Sequence, residues 1–283
     1  MALSLKQIKN RINGIQDVNK ITHAMEMISL AKLKPSQNQL LPQSNYFLKM
    51  EELLRSISVN TKGIIDPLFQ KKEEVKKIIL CLVTSDTGLC ASYNDNIIRF
   101  AEEFMGRSGK KCSLVAVGRR GLSYFKSRQV KICRDYTDLH GKYSAQTAEE
   151  IFNTLVNAFL SGEADEVYIA YTYFGSALRH KLVIEKLLEL DLKPEKKEDF
   201  IFEPGQEVIL KELIPAYVFN KIKLVLLNAF TCEHSVRAIA MGQATENAKG
   251  LLEDLTLLRN KVRQAGITRE ILEVISSAEV LLK

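Results

Sequence analysis

The C-terminal stretch of the sequence limits the possible folds most strongly, because very little in it can interrupt a helix. From Ala216 to Lys283 there is no proline, and the only glycines stand at positions 242, 250 and 266. One continuous α-helix of that length would measure about 100 Å at about 1.5 Å per residue. A compact domain of ordinary size is only ~40 Å across. We therefore expect this helix to extend well beyond any domain against which it packs.

A seven-residue repeat in the same stretch predicts that the helix pairs with a second one. Small and apolar residues recur at the spacing of a coiled-coil seam, and each of the two seam positions is occupied four times. The first position holds Met241, Ala248, Leu255 and Val262, and the second holds Ala244, Leu251, Leu258 and Ala265.

The first 58 residues contain the expected partner helix. Apolar side chains recur there every three or four residues, which places them on one face of a helix. Pro35 and Pro42 interrupt the pattern. Because proline removes a backbone donor and clashes with the preceding turn, we expect a kink or a break at 35–42. The apolar stripe consists of Leu5, Ile8, Ile12, Ile15, Val18, Ile21, Met25 and Ile28.

Residues 76–192 follow a different pattern, in which short apolar runs alternate with amphipathic segments. This alternation is typical of βαβ units and a mainly parallel sheet. Strands are predicted at 78–83, 113–117, 130–132 and 166–173, with helices at 94–105, 121–127 and 144–160.

The predicted fold class is therefore α/β. A long antiparallel coiled coil is formed by the N-terminal helix (1–58) and the C-terminal helix (216–283). A Rossmann-like α/β domain is inserted between them at 76–192, and residues 193–215 connect that domain to the last helix.

Composition and motifs exclude several classes of protein. A net charge of +6 over 283 residues does not require a nucleic-acid partner. The opening segment lacks the apolar core of a secretory signal, and no stretch approaches the roughly 20 apolar residues that cross a bilayer. The five cysteines and four histidines lack metal-ligand spacing. We find no catalytic constellation and no phosphate-binding glycine motif, so no catalytic residue, metal or cofactor is predicted.

The residues leave three functions open. The first is a shaft seated in an acidic or dipole-lined socket, for which a long coiled coil with a basic N-terminal face is suitable. The second is a small enzyme or nucleotide-binding protein built on the α/β domain, which the missing motifs disfavour. The third is a coiled-coil scaffold or nucleic-acid binder, which the modest charge disfavours.

Several segments resemble the γ subunit of F-type ATP synthase, and together they span almost the whole chain. At the N-terminus the similar stretch runs from Lys20 to Met27 and continues at 31–33. In the α/β domain it includes Asp86–Cys90 with Asn94 and Asn96. The most specific stretches are C-terminal, at Glu233–Met241, Ala244–Ala248 and Asn260–Ile271.

The resemblance implies a rotor subunit that performs no bond chemistry. The terminal helices would lie within a ring of α and β subunits, with the α/β domain next to the ε subunit and the membrane c-ring. Turning of the c-ring by ions would then drive the catalytic β subunits through their conformations. The implied location is peripheral, on the cytoplasmic face of a bacterial inner membrane.

Individual contacts follow from matching positions. The resemblance implies a foot contact to the c-ring through Phe200, Phe202 and Glu203. It also implies that a set of polar and apolar residues on both terminal helices contacts the β and α subunits. That set is Arg11, Met25, Arg237, Arg263, Gln264, Thr268, Glu270 and Glu273.

The sequence also departs from the family pattern at a few positions. Thr87 stands where a basic residue is usual, and Ala91 where glycine is usual. Pro35 falls where the N-terminal helix normally continues, whereas the usual proline position is occupied by Asn45. We expect the C-terminal helix to transmit torque past Pro35, because it is unbroken there.

Overall fold

The computed structural model describes residues 4–60, 68, 74–188 and 205–281. The chain divides into two compact units. We call Leu30–Arg237 the sheet unit, and Met1–Ser29 with Ala238–Lys283 the terminal unit. Among the described residues the elements are α1 (Leu5–Asn60), β1 (Lys77–Val83), α2 (Tyr93–Ser108), β2 (Lys111–Val117), α3 (Arg119–Ser127), β3 (Ile132–Tyr136), α4 (Ala145–Leu160), β4 (Glu166–Ser176), β5 (Arg179–Lys186) and α5 (Gln206–Leu281).

The sheet has five strands in the order β3-β2-β1-β4-β5, and its first four strands are parallel. The prediction of a mainly parallel sheet is confirmed. The third strand was predicted too early, at 130–132. The antiparallel strand β5 was not predicted, because its first residues, Arg179, His180 and Lys181, are polar and exposed at the sheet edge.

Helices cover both faces of the sheet, and the alternation of side chains along β1 separates the two cores. Leu80 and Leu82 pack with α2 and α3 in one cluster. Ile79 and Val83 belong to the larger cluster, to which α1, α4 and α5 contribute. A strand that is buried on both faces has a continuous apolar sequence, which explains why this strand was predicted from its sequence.

Helix α4 begins as its sequence predicts. The Ser144 hydroxyl accepts a hydrogen bond from the backbone N–H of Thr147 and so caps the first turn.

Helix α1 runs without interruption through Pro35 and Pro42, so the predicted break is wrong. The two prolines are exposed and seven residues apart, which places them on the same outer face of the helix. The inner face is held by packing within the sheet unit: the hydroxyls of Ser36 and Thr231 lie 2.6 Å apart, and Gln43 donates to Asn220 at 3.0 Å. Each interior proline costs about 3 kcal/mol, which packing offsets. The kink expected at 35–42 of α1 stays a prediction.

Helix α5 begins at Gln206, ten residues before the predicted start. The predicted boundary between the connecting segment and the helix falls at Pro215, which lies inside α5. Its neighbours Ile214 and Tyr217 are buried in the main core. Tertiary packing therefore continues the helix past a residue that would end it in isolation.

One window of α5 also reaches the hydropathy of a membrane span, which the sequence analysis did not expect. An 18-residue window within Val208–Ala278 has a mean hydropathy of 1.3, and 56% of it is buried inside the protein. The buried side chains belong to the core of the sheet unit, from Leu210 to Phe230. A core helix passes the same test of length and composition, so the window is explained by packing.

In the terminal unit the two helices pack antiparallel, since Asn19 donates to the Thr245 carbonyl at 3.0 Å and Glu26 lies beside Gly242. Ile8 and Ile12 occupy the seam as predicted. From residue 18 onward the predicted stripe is wrong except at Met25, which is half-buried. The seam there is formed by polar residues, whereas Val18, Ile21 and Ile28 are 50%, 60% and 52% exposed. The polar seam residues are Asn19, Thr22, Glu26 and Ser29.

The second seam position of α5 is shifted by one residue from the prediction. Met241 and Ala248 are buried as expected, but the position between them is filled by Thr245, which donates to the Thr22 hydroxyl at 2.9 Å. Leu251 and Leu258 are exposed instead. Thr245 was not considered for the seam because it is polar.

Ala91 provides a test of local strain in the loop after β1. Its φ of +46° lies in the left-handed region, which costs a residue with a Cβ about 1 kcal/mol relative to glycine. We expect Ala91→Gly to stabilise the chain by about 1 kcal/mol, measured as a shift in the urea denaturation midpoint. The matched control is Ala24→Gly in exposed helix, which should destabilise by a similar amount. A loss of stability in both variants would contradict the assignment of strain.

Candidate functional site

The carboxyl ends of the parallel strands form the edge of a doubly wound sheet at which such folds usually bind ligands. The loop after β1 is fixed there by its own polar side chains. The Ser85 N–H donates to Asn94 Oδ1 at 3.0 Å, and the Gly121 N–H donates to Thr84 Oγ1 at 3.0 Å. These bonds attach the first residues of α2 and α3 to the end of β1.

Asp86 joins three loops at this edge. Its carboxylate accepts hydrogen bonds from the backbone N–H groups of Arg119 and Asp138, both at 3.1 Å, and from that of His140 at 2.7 Å. A carboxylate with three backbone donors is well satisfied. Asp86 is therefore a structural tie of the loops.

A buried ion pair attaches α5 to the same edge. The Arg237 guanidinium lies 2.8 Å from Glu233 Oε1, and the two side chains are 5% and 2% exposed. Arg237 also donates to the carbonyl oxygens of Gly88 and Thr87, both at 3.1 Å. Burial raises the pKa of the Glu233 carboxyl, and the neighbouring guanidinium opposes the rise. We call these four residues the helix anchor.

Further contacts extend the helix anchor along α5. The Tyr93 hydroxyl donates to the Ala229 carbonyl at 3.0 Å, and Asn228 Oδ1 accepts from the Phe174 N–H at 3.2 Å. Cys90, Tyr93 and Cys232 form a small buried cluster beside them. Burial raises the pKa of Cys232 to about 12, so this thiol stays protonated at neutral pH.

His234 fixes the loop before α4. Its Nε2 lies 2.9 Å from the Gly141 carbonyl oxygen, so Nε2 carries the proton in the neutral ring. Gly141 has a φ of +67°, and a Cβ there would lie 2.6 Å from the imidazole, so only glycine fits. Burial lowers the pKa of His234 to about 4. The ring is therefore neutral near pH 7.

At the point where β1 and β4 diverge, α5 is packed against the loop after β1 and against the end of β4. In the part of the chain that the structure describes, no group of three His, Cys, Asp or Glu side chains could hold a metal ion.

The terminal unit presents a different kind of surface. The side chains of α5 from Arg263 to Ala278 are all exposed. They include large apolar groups, with Ile271 54% and Val274 68% exposed. A run of exposed apolar side chains on one helix marks a surface that another molecule covers. We call residues 263–278 the exposed C-terminal run.

A family model described as ATP synthase matches residues 4–281. The ATP synthase gamma chain of Moorella thermoacetica is 38% identical over 279 residues, which cover 98% of this chain and 99% of that one. The chain belongs to the ATP synthase γ-chain family. The ATP synthase gamma chain of Bdellovibrio bacteriovorus is 37% identical over 292 residues, which cover 98% of this chain and 99% of that one.

Solved structures share the fold of the γ-chain family with this chain. One chain of the Euglena gracilis mitochondrial ATP synthase rotor, in rotational state 1, gives a TM-score of 0.69 at 18% identity, with 93% of this chain and 98% of that chain covered. A chain of the same enzyme in its OSCP/F1/c-ring structure, in rotational state 3, gives a TM-score of 0.68 at 19% identity. The match covers 98% of this chain and 94% of that chain. The predicted fold class is thereby confirmed.

The residues carried over from the γ-chain family fall into three groups. Arg11 and five residues of the exposed C-terminal run are exposed, and Met25 is half-buried. Phe200, Phe202 and Glu203 lie outside the described residues. Arg237 is buried in the helix anchor, so the structure does not place its side chain on the surface. The five exposed residues are Arg263, Gln264, Thr268, Glu270 and Glu273.

The sequence analysis did not predict the buried contacts of Glu233 and His234, although both residues belong to the stretch Glu233–Met241. One signal was available. Glu233 and Arg237 are four residues apart, which places opposite charges on one face of a helix. Their burial could not be read from that spacing, because exposed helices carry the same pattern.

The ion pair of the helix anchor can be tested by removing one charge or both. Arg237→Met leaves the acidic group of Glu233 buried without its partner, and we expect a loss of about 3 kcal/mol in the free energy of unfolding. The double variant Glu233→Gln/Arg237→Met buries no charge and should be more stable than Arg237→Met alone. Urea denaturation measures both. A double variant that loses the sum of the single losses would contradict the pairing.

His234 predicts a loss of stability in acid. Its pKa is about 4 when folded, against an ordinary 6.5, so the unfolded chain binds the proton more readily. The contribution of the neutral His234 ring to the free energy of unfolding is complete above pH 6.5. It is lost as the pH falls towards 4, to a total of about 3 kcal/mol. His234→Gln retains an N–H donor and should flatten the unfolding free energy between pH 7.5 and 4.5. The exposed His23→Gln serves as control, and equal pH profiles for the two variants would contradict this role.

Proposed function

We propose that the chain is the central rotor subunit of an F-type ATP synthase, which couples ion-driven rotation of the c-ring to conformational cycling of the catalytic β subunits. Membership of the ATP synthase γ-chain family supports this function. The single observation that carries it is the helix anchor, which fixes α5 to the sheet through buried charges. A subunit that transmits torque needs such a rigid joint.

The proposed subunit performs no bond chemistry of its own. Part of its sheet edge is occupied by its own helix, and two ionisable groups there are held by other groups of the chain: the buried Arg237 by Glu233, and the half-buried Asp86 by backbone N–H groups. Each conformation of a catalytic β subunit would be favoured at one angle of the rotor, so the coupling arises from differential contacts.

The proposed partners are the α, β and ε subunits and the c-ring, with no role for nucleic acid. The exposed C-terminal run would contact β and α through Arg263, Gln264, Thr268, Glu270 and Glu273, and α1 would contribute Arg11 and Met25. Arg237 is left out of this set because its side chain is buried. Phe200, Phe202 and Glu203 would contact the c-ring.

ATP synthase is a membrane-associated complex. The proposed location of this subunit is the cytoplasmic face of a bacterial inner membrane, to which it would be held through the c-ring. The apolar window in α5 does not contradict a peripheral attachment, because more than half of it is buried inside the protein.

Co-purification tests the assignment directly. Tagged full-length chain is recovered from gently solubilised native membranes, and its partners are identified by mass spectrometry. We expect α, β, ε and c subunits in the eluate, together with ATPase activity. Recovery of the chain alone, or with nucleic acid only, would overturn the proposal.

The exposed C-terminal run gives a sharper prediction. Ile271→Asp/Ile275→Asp places charges on side chains that are 54% and 51% exposed, so the fold should be unaffected. If β and α subunits cover these side chains, coupled ATP synthesis in reconstituted membranes should fall about ten-fold, since covered apolar anchors each contribute more than about 1 kcal/mol. Circular dichroism should be unchanged.

The control for this prediction is Leu178→Asp, at a position that is 84% exposed at the β4–β5 turn. It introduces a charge at an exposed apolar position far along the chain from the exposed C-terminal run. We expect it to retain coupled synthesis. Equal losses in both variants would mean that the run has no special contact.

A further inference from the structure

Positive charge is concentrated in one part of the sheet unit. Between Arg99 and Arg134 there are ten Lys and Arg residues but only two Asp and Glu residues. All ten basic residues are exposed. The chain as a whole has a net charge of only +6, so the residues outside this stretch carry a slight negative excess.

Six of the ten lie towards the amino edge of the sheet, where β1, β2, β3 and β4 begin. Helices α2 and α3 both end there, because each leads into the next parallel strand. Lys111 starts β2, and Lys131 directly precedes β3. We call the six residues the amino-edge cluster: Arg107, Lys110, Lys111, Lys126, Arg128 and Lys131.

Half of the amino-edge cluster has no carboxylate to neutralise it. Arg107 pairs with Glu103, Lys110 with Glu166, and Arg128 with Glu102. The other three form no ion pair with any described residue: they are Lys111, Lys126 and Lys131. Glu74, Glu163 and Asp165 lie on the same edge near the starts of β1 and β4, so the positive field of the unpaired lysines is local to the ends of α2 and α3 and the starts of β2 and β3.

The amino edge is also the end of the sheet unit at which α5 starts. Lys221 of α5 pairs with Glu185 of β5, which lies opposite Ile169 near the start of β4. Asn228 of α5 accepts a hydrogen bond from Phe174, which lies further along β4 towards the carboxyl edge. Helix α5 therefore runs from the amino edge to the carboxyl edge. If the segment before Gln206 meets the c-ring, as the proposed function has it, the amino edge faces the membrane.

We propose that the amino-edge cluster binds the anionic headgroups of the membrane lipids. Clusters of four to eight basic residues are attracted to anionic bilayers in this way. No large apolar side chain is exposed between Arg107 and Lys131, and near the same edge Leu160 and Val208 are single exposed apolar residues at 54% each, so the cluster adsorbs to headgroups and does not insert. The same lack of an apolar centre disfavours a docked protein partner, which needs buried anchors.

A lipid surface also suits a rotating subunit. A fluid bilayer presents no fixed docking position, so the attraction is nearly the same at every angle. It acts within a screening length of about 8–10 Å at physiological salt. The cluster would steady the sheet unit above the membrane without opposing rotation.

Vesicle flotation with the purified full-length chain tests this proposal. The probes are vesicles with about a third phosphatidylglycerol and vesicles of phosphatidylcholine alone. We expect binding to the first only, with loss of binding in high salt. The variant Lys111→Gln/Lys126→Gln/Lys131→Gln should bind about 100-fold more weakly, because each basic residue near an anionic surface contributes about five-fold in affinity.

The matched control removes the same charge elsewhere. Lys6→Gln/Lys9→Gln/Lys261→Gln changes three exposed lysines of the terminal unit and should bind vesicles as the unaltered chain does. No binding of the unaltered chain, or equal weakening in both variants, would overturn the proposal. Tighter binding to a DNA duplex than to anionic vesicles would overturn it as well.

The lipid proposal rests on the proposed function for its orientation, but the two can fail separately. If the amino-edge variant and the unaltered chain both co-purify with ATPase activity and neither binds anionic vesicles, only the lipid proposal fails. If the chain binds the vesicles through Lys111, Lys126 and Lys131 but is never recovered with ATP synthase subunits, only the rotor proposal fails.

Discussion

The ion pair between Arg237 and Glu233 is the interaction on which the arrangement of the sheet unit depends. Two buried charges are costly unless each is fully satisfied, and here the guanidinium also donates to two carbonyl oxygens of the loop after β1. That loop is in turn fixed by Asp86 to the loops after β2 and β3. The orientation of α5 is therefore set by hydrogen-bond geometry, which is more directional than apolar packing.

The same interaction places α5 at the edge where a doubly wound sheet usually binds its ligand. In this fold class the carboxyl edge is open where neighbouring crossovers diverge. Here a helix from the far end of the chain fills that place, and Tyr93 and Asn228 satisfy backbone groups on both sides of it. The fold is retained, and α5 packs at the place where such folds usually form their binding crevice. Fold class alone would have suggested an enzyme.

The sequence predicted the elements of this fold well and the faces of its long helices poorly. Strand β1 and the cap at Ser144 were predictable because apolar runs and capping residues are local signals. The seam of α1 was predictable only up to Ile15. Beyond it, Asn19 and Thr22 are buried through hydrogen bonds to the partner helix, whereas the apolar Val18 and Ile21 point outward. A prediction that treats every apolar side chain as buried therefore places the wrong face of α1 in the seam after Ile15.

The burial of Arg237 could not be predicted for a related reason, because burial of a charge depends on distant partners. Arg237 has the composition of a surface contact, yet its partners at Thr87 and Gly88 are about 150 positions away in sequence. The exposed C-terminal run is the converse case, because its isoleucines are apolar and yet exposed.

Helix α5 thus carries buried charge within the sheet unit and exposed apolar surface near its C-terminal end. Both features are costly for an isolated chain. The first is offset within the sheet unit by Glu233 and the loop carbonyls. No described residue of this chain covers the second, so a partner has to. That asymmetry within one continuous helix distinguishes a subunit of an assembly from a self-contained domain.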